Sequence, residues 1–419
     1  MFSRRAFFKF CGLASGGALW SGGGQMSAGA RPLAGGGGGV VLGIDRLAAS
    51  GFAGLRGKRV GLILNQTSVA GNGSPSRFVL QRALGRQFTA LYTPEHGLDG
   101  REVAGRQVRS RRDPLTGLVA HSLYGNTRKP TPEMLANIDV LLFDLQDIGS
   151  RSYTYVSTMA LAMEACAEQG KAFMVLDRPN PLGGRRVSGP PLAPQWKSFV
   201  GQVPVPYVHG LTAGELARMI AARGWIKACP ELAVVPLAGW SRSMVWGDTG
   251  LRWVPTSPNI PRCESPFYYA ATGILGGLDG VDVGIGSGRP FEYAGGRGVD
   301  GREWAASLER RRLPGVRFRP YQSVVKPGFG GAQLLIDPRG GTDLLGLAVL
   351  LASEVCRRTG GAPLRATTGD SRSLFHKVYG SDSLFLDLQR GRPVGAIVAS
   401  WQPSLEAFRR ERQGHLLYS

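Results

Sequence analysis

What most restricts the fold is a pattern that occurs four times: a short apolar run ends abruptly in acidic, amide and basic residues. The runs cover 59–64, 88–92, 140–143 and 172–176. They end in Asn65-Gln66, Pro94-Glu95-His96-Gly97, Asp144-Leu145-Gln146-Asp147 and Asp177-Arg178-Pro179-Asn180. Runs of this length and apolarity read as strands buried on both faces, and starts roughly 30 to 50 residues apart leave room for a helix and return between them. The expected fold class is α/β, with a parallel, doubly wound sheet. In open parallel sheets ligands bind beyond the carboxyl ends of the strands, so the four polar clusters are expected to converge on one ligand.

The N-terminus, Ser3-Arg4-Arg5-Ala6-Phe7-Phe8-Lys9, sets two arginines before a modest apolar stretch from Cys11 to Trp20. It reads as a twin-arginine export signal, with the twin-arginine translocase as a partner and the periplasm or exterior as destination. The stretch is too short and glycine-rich for a span of about 20 strongly apolar residues, so no stable membrane anchor is expected. Lys9 and Phe10 do not form a lipobox before Cys11. Residues 1–30 are read as the signal and 31–41 as a Gly-rich flexible spacer.

The remaining length exceeds what one core normally serves. Two domains are expected, 42–262 and 263–419, divided near Cys263 after the proline-rich passage 253–261. The second mixes glycine-rich turns with a strand at 332–336 and a helix at about 344–358, which makes it α+β. The formal charge is +20; it reads as a basic surface or as steering toward an anionic polymer. No nucleic-acid-binding module accompanies it, and no nucleic-acid partner is expected. Cys166, Cys229, Cys263 and Cys356 lack metal spacing and read as small core residues.

Glu95 and His96 follow a strand and precede glycine, a position that projects side chains into a cleft. Glu95 is read as a general acid or a loop cap, and His96 as a base, a substrate contact or a structural histidine. The segment from Phe143 to Tyr155 offers Asp144, Gln146, Asp147, Arg151, Tyr153 and Tyr155, the mixture that holds a sugar by hydrogen bonds and ring contacts. Arg151 suits a bidentate grip on a carboxylate or a pairing with Asp147. Asp177 and Arg178 read as a structural pair or as site residues, and Asn180 bonds backbone or ligand. Thr212 and Glu215 have capping-box spacing at a helix start, which places His209 at the same crevice. Ser257 and Asn259 sit in a rigid proline loop expected to form a second wall. The chain lacks a Gly-x-Gly-x-x-Gly turn after the first strand, a Walker loop, a Gly-x-Ser-x-Gly elbow and a zinc-protease histidine pair. No cofactor or metal is expected.

Together these motifs, from Asn65-Gln66-Thr67-Ser68 through His209-Gly210-Leu211-Thr212 to Pro255-Thr256-Ser257-Pro258-Asn259-Ile260-Pro261, Arg289-Pro290-Phe291-Glu292 and Leu416-Leu417-Tyr418, resemble the NamZ-type exo-β-N-acetylmuramidases. The resemblance spans about residues 42–418. It implies a Rossmann-like N-terminal domain, a smaller C-terminal domain and an active cleft between them. It also implies release of N-acetylmuramic acid from non-reducing ends of peptidoglycan fragments without a nucleotide or metal. One segment departs from the family pattern: Gly277-Leu278-Asp279-Gly280 and Gly284-Ile285-Gly286-Ser287 stand where relatives carry Glu-Gly-Thr-Asn and Gly-Arg-Gly-Thr. Asp279 and Asp282 are the available substitutes for the acid.

The resulting expectation is a glycosidase with Glu95 as general acid, assisted by His96, and Asp144 or Asp147 as partner carboxylate. Arg151 or Arg178 would recognise the lactyl carboxylate. Asn65, Gln146, Tyr153, Tyr155, Asp177, Asn180, His209, Ser257, Asn259 and Glu292 would complete the sugar site. The alternatives are a binding protein for an anionic sugar or muropeptide, and a serine esterase using Ser257 and His209.

Overall fold

A computed structural model describes residues 39–103 and 105–419. The expected signal, and all of the spacer before Gly39, lie outside the described residues. The end of that spacer belongs to the fold: Val40 is buried and Val41 forms a bridge with Ala238.

The apolar runs become β1 (Val60–Ile63), β2 (Phe88–Thr93), β5 (Val140–Phe143) and β6 (Ala172–Leu176), with the short β3 (Arg111–Arg112) and β4 (Val119–Ser122) between the second and third. β7 (Ser188–Pro191) and β8 (Pro206–Val208) form a separate antiparallel ribbon, and β9 (Leu232–Val235) returns to the main sheet. That sheet has the order β3-β4-β2-β1-β5-β6-β9 and is parallel except for β3. Every residue of β1 and β5 is buried because both faces are covered. Strand alternation divides them: Ile63, Leu141 and Phe143 enter the large core that continues into the C-terminal half, while Val60, Leu62, Val140 and Leu142 enter a smaller one. The chain moves from β1 outward to β2 and β4, then crosses back to β5. β1 and β5 therefore flank the point where the winding direction reverses, where such sheets open a crevice.

Thr212 caps the helix Ala213–Arg223 as its spacing requires: its hydroxyl accepts from Glu215 N–H, and Glu215 Oε2 accepts from Thr212 N–H. The C-terminal half is α+β. Its antiparallel sheet runs β10 (Val281–Asp282), β11 (Tyr293–Arg297), β13 (Phe329–Ile336), β12 (Val316–Gln322) in spatial order. The expected helix is Leu344–Arg358, N-capped by Asp343. The end of the chain then returns to the N-terminal half. Leu417 N–H donates to Glu215 Oε1, and Tyr418 hydroxyl donates to Asp177 Oδ2 at 2.5 Å. Of the four cysteines past the expected signal, Cys166 and Cys356 are buried core residues, Cys263 is half-buried and Cys229 is exposed. Among the described residues no helix is long and apolar enough to cross a membrane.

Candidate active site

Glu95 stands just past β2, and the backbone turns sharply behind it: His96 has φ of 70° and Gly97 of 71°. A left-handed histidine is strained and persists only where surrounding bonds hold it. Here His96 Nδ1–H donates to the Glu102 carbonyl at 2.7 Å, which leaves Nε2 as the acceptor. Both Glu95 oxygens are oriented, Oε1 by Gly105 N–H and Oε2 by the Thr154 hydroxyl, each at 2.8 Å. Glu95 is buried, so its carboxyl is held in one pose at the floor of a pocket.

That pocket is shared by the two halves. The N-terminal half supplies Glu95, His96, Ser152, Tyr153 and Thr154, the proline loop supplies Ser257, Asn259 and Ile260, and the C-terminal half supplies Tyr269, Phe291, Leu374 and Val378. Three rings of its wall meet edge to face, Tyr153 to Tyr269 at 6.0 Å and Tyr269 to Phe291 at 5.0 Å, while Tyr155, expected in the sugar site, is fully buried behind Tyr153 at 4.8 Å and does not line the pocket. Phe291 is a second strained non-glycine residue, with φ of 67°. Tyr153 hydroxyl donates to Thr256 Oγ1 at 2.8 Å, and Tyr155 hydroxyl to Thr256 carbonyl at 2.7 Å. Rigid aromatic walls, a few hydroxyls and one buried carboxyl suit a sugar whose glycosidic oxygen must be protonated.

The structure thus brings Glu95, His96, Tyr153, Ser257 and Asn259 together, and it places other expected residues elsewhere. Asp144 is fully buried against Arg178, with Nε to Oδ1 at 2.7 Å, and lines no part of this pocket. Arg178 Nη2 also holds the Val69 carbonyl. Arg151 is a correction: its guanidinium, 1% exposed at residue level, donates to the carbonyls of Pro190, Val205 and Tyr379 instead of meeting a substrate carboxylate or Asp147. Pro190 lies in β7, Val205 directly precedes β8 and Tyr379 ends the helix Gly369–Tyr379, so one guanidinium with its five donors ties three separate elements together. Gly380 lets the guanidinium approach, since a Cβ there would lie 2.2 Å from Nη2. Burial draws its pKa down to about 10, still charged at neutral pH.

Asp177 is likewise enclosed, accepting from Gly214 N–H, Thr212 and Tyr418, and burial pushes its carboxyl up to about 6. Asn180 braces its own turn through Leu182 N–H and the Leu211 carbonyl. Asn65 bonds Thr67 and Tyr155. His209 Nδ1 accepts from Leu211 N–H, so Nε2 carries the proton, and burial lowers its pKa to about 3. It cannot take a proton from Ser257 through Nε2, which removes the esterase arrangement. Glu292 pairs with Arg262 and Arg289 beside the pocket wall. Asp282 accepts from Tyr321, Ser323 and Gly284, and neither it nor Asp279 lines the pocket.

Sequence reasoning missed Thr154, although it lies inside the Phe143–Tyr155 segment. Carboxylates and phenols drew attention there, and a hydroxyl that orients another residue has no type signature. Thr154→Val removes one of the two hydrogen bonds that orient the Glu95 carboxyl and leaves a buried acceptor without its partner, about 1–3 kcal/mol. It is expected to lower kcat roughly 10- to 100-fold, with Thr154→Ser restoring most of the rate in steady-state assays.

Asp147 lies outside the pocket. Its Oδ2 accepts from Gly149 N–H at 2.7 Å, while Oδ1 is sealed from solvent without a partner. Desolvation pushes this carboxyl up to about 7, opposed by the Gly149 and Ile148 amides. A folded pKa above the unfolded value means that stability present near pH 4 is lost as pH rises through 7. Asp147→Asn keeps the bond to Gly149, so it is expected to match wild type near pH 4 and to exceed it at pH 8 by up to roughly 4 kcal/mol, at about 1.4 kcal/mol per pKa unit, several degrees in melting temperature. Thermal unfolding across that range measures the difference.

Two family models cover most of the chain: "Exo-beta-N-acetylmuramidase NamZ, N-terminal" over residues 60–264 and "Exo-beta-N-acetylmuramidase NamZ, C-terminal" over 267–418. The chain is 40% identical over 387 residues to the peptidoglycan beta-N-acetylmuramidase NamZ of Bacillus subtilis (strain 168), covering 90% of this chain and 91% of that one. It also resembles two crystallised DUF1343 family proteins of Bacteroides fragilis NCTC 9343. One has a TM-score of 0.85 and 39% identity over 92% of this chain and 100% of the other. The second has a TM-score of 0.69 and 27% identity over 91% and 99%.

Proposed function

From the premise that the chain belongs to the NamZ family of exo-β-N-acetylmuramidases, we propose that it hydrolyses the terminal glycosidic bond of peptidoglycan fragments and releases N-acetylmuramic acid from their non-reducing ends. The observation that carries this reading is Glu95, a buried carboxyl oriented through both oxygens at the floor of an aromatic pocket between the two halves. Glu95 donates a proton to the leaving glycosidic oxygen, and His96 Nε2 accepts from the attacking water or a sugar hydroxyl. Water adds across the bond, with no other reactant. The aromatic wall takes the apolar face of the ring. We infer that Arg262 or Arg289, which pair with Glu292 next to Phe291, meets the lactyl carboxylate in place of Arg151 and Arg178.

Release of chromophore from an aryl β-N-acetylmuraminide, with the matching N-acetylglucosaminide as comparison, tests the reading. Release from the muraminide alone is the expected result; saturable binding of muropeptides without release would favour a binding protein instead. The adjacent Arg4 and Arg5 support export in the folded state to the periplasm or beyond. Replacing both by lysine is expected to retain the protein in the cytoplasm, as read by cell fractionation, and unchanged export would remove the twin-arginine route.

A further inference from the structure

A second cavity, of about 150 Å³ against about 60 Å³ for the Glu95 pocket, lies at the reversal point of the sheet. It opens beyond the carboxyl ends of β1, β5 and β6, where Thr67, Val69, Gln146 and Arg178 meet the segment from Trp246 to Pro255. The strip Pro255 to Ser257 separates the two spaces: Pro255 lines this cavity and Ser257 lines the Glu95 pocket. Gln66 Nε2 pins the strip through the carbonyls of Pro255 and Thr256 at 2.7 and 3.2 Å.

Its polar groups are specific. Gln146 is 2% exposed; Nε2 is engaged by the carbonyls of Asp147 and Pro179, and Oε1 has no partner. Arg178 is 4% exposed; Nε and Nη2 bond Asp144 and Val69, and Nη1 makes no hydrogen bond among the described residues. Arg252 stands exposed in the lining, which contains no carboxylate. Trp246 and Trp253 meet edge to face at 4.8 Å, with their indole N–H groups already donated to Leu251 and Ile260 carbonyls. What this wall offers a ligand is therefore aromatic surface.

The loop after β1 is not a phosphate cradle. The amides of Val69, Ala70, Gly71 and Gly73 are bonded to Thr67, Ser74, Asp45 and Ala70, so no row of free N–H groups remains. The charge of Arg178 is already met by Asp144, so the exposed Arg252 guanidinium, without such a row of amides, is the group that suits a carboxylate; Gln146 Oε1 requires a hydroxyl or amide N–H donor, and indole surface suits the apolar face of a sugar ring. We propose that this cavity is a second binding site, separate from the Glu95 pocket, for a carboxylate-bearing amino sugar such as free N-acetylmuramic acid. The choice of that acid rests on the proposed function, while the ligand class rests on the cavity.

The Glu95 pocket contains no tryptophan, so the Trp246 indole N–H resonance reports on the second site. Titration of the full-length protein with N-acetylmuramic acid is expected to shift this resonance saturably. Arg252→Glu, at an exposed position, weakens the response by on the order of tenfold or more, and Gln146→Leu weakens it too. Glu95→Gln leaves it unchanged, and N-acetylglucosamine produces little response. No saturable shift, an equal response to the neutral sugar, a response abolished by Glu95→Gln but not by Arg252→Glu, or tighter binding of adenosine monophosphate would each overturn the proposal. The readout involves no turnover, so failure of muraminide hydrolysis with an Arg252-dependent shift intact would sink the hydrolase reading alone.

Discussion

Glu95→Gln is expected to lower kcat for muraminide hydrolysis by about 10²- to 10⁴-fold, the range for removing a positioned proton donor. The fold should be unaffected. The amide oxygen can still accept from Gly105 N–H, and the Thr154 hydroxyl can rotate to accept from the new NH₂ group, so both anchors of the side chain survive. Steady-state kinetics beside a denaturant melt separates the two effects: lost turnover at an unchanged unfolding midpoint is the signature of chemistry. Turnover at the wild-type rate would remove Glu95 from the mechanism, and with it the observation on which the functional reading most depends.

Asp144→Ala should behave in the opposite way. The carboxylate is fully buried against an Arg178 guanidinium that is itself 4% exposed, and the pair sits directly after β5, where Asp144 N–H continues the sheet to the Ile63 carbonyl. Removing one partner leaves an uncompensated buried cation, a loss of roughly 3–5 kcal/mol. Urea unfolding should show a large fall in midpoint. Hydrolysis per folded molecule should change far less than in the Glu95 variant, because Asp144 does not line the Glu95 pocket. Wild-type stability with abolished hydrolysis would instead make Asp144 the partner carboxylate of a two-carboxyl mechanism.

The contrast between these acidic residues shows how far the chain can be read as text. Apolar runs with the length of buried strands identified β5 and β6 to the residue and β1 and β2 to within one. The Thr212–Glu215 spacing located a helix start, because capping is settled by groups a few residues apart. Strand-end position singled out Glu95 and His96, the dense polar segment Tyr153, and the rigid proline loop Ser257 and Asn259, and the structure gathers all five around one pocket. The same reasoning treated Arg151, Asp177 and Asn180 as site residues, and there it could not succeed. Their partners are backbone groups of Tyr379, Gly214 and Leu211 and the hydroxyl of Tyr418, some of them more than 200 residues away.

What the sequence alone determined is therefore local: the buried strand runs, the cap, the turn after β2, and the set of polar residues delivered to the carboxyl edge of the sheet. Tertiary structure alone decided how those residues divide between a pocket that holds Glu95, a neighbouring cavity that holds Gln146 and Arg178, and a buried framework that consumes Arg151 and Asp177. The reason is physical. A charged side chain has the same chemistry in every setting, but whether it meets a ligand or a backbone carbonyl depends on which chain ends are buried beside it without hydrogen-bond partners.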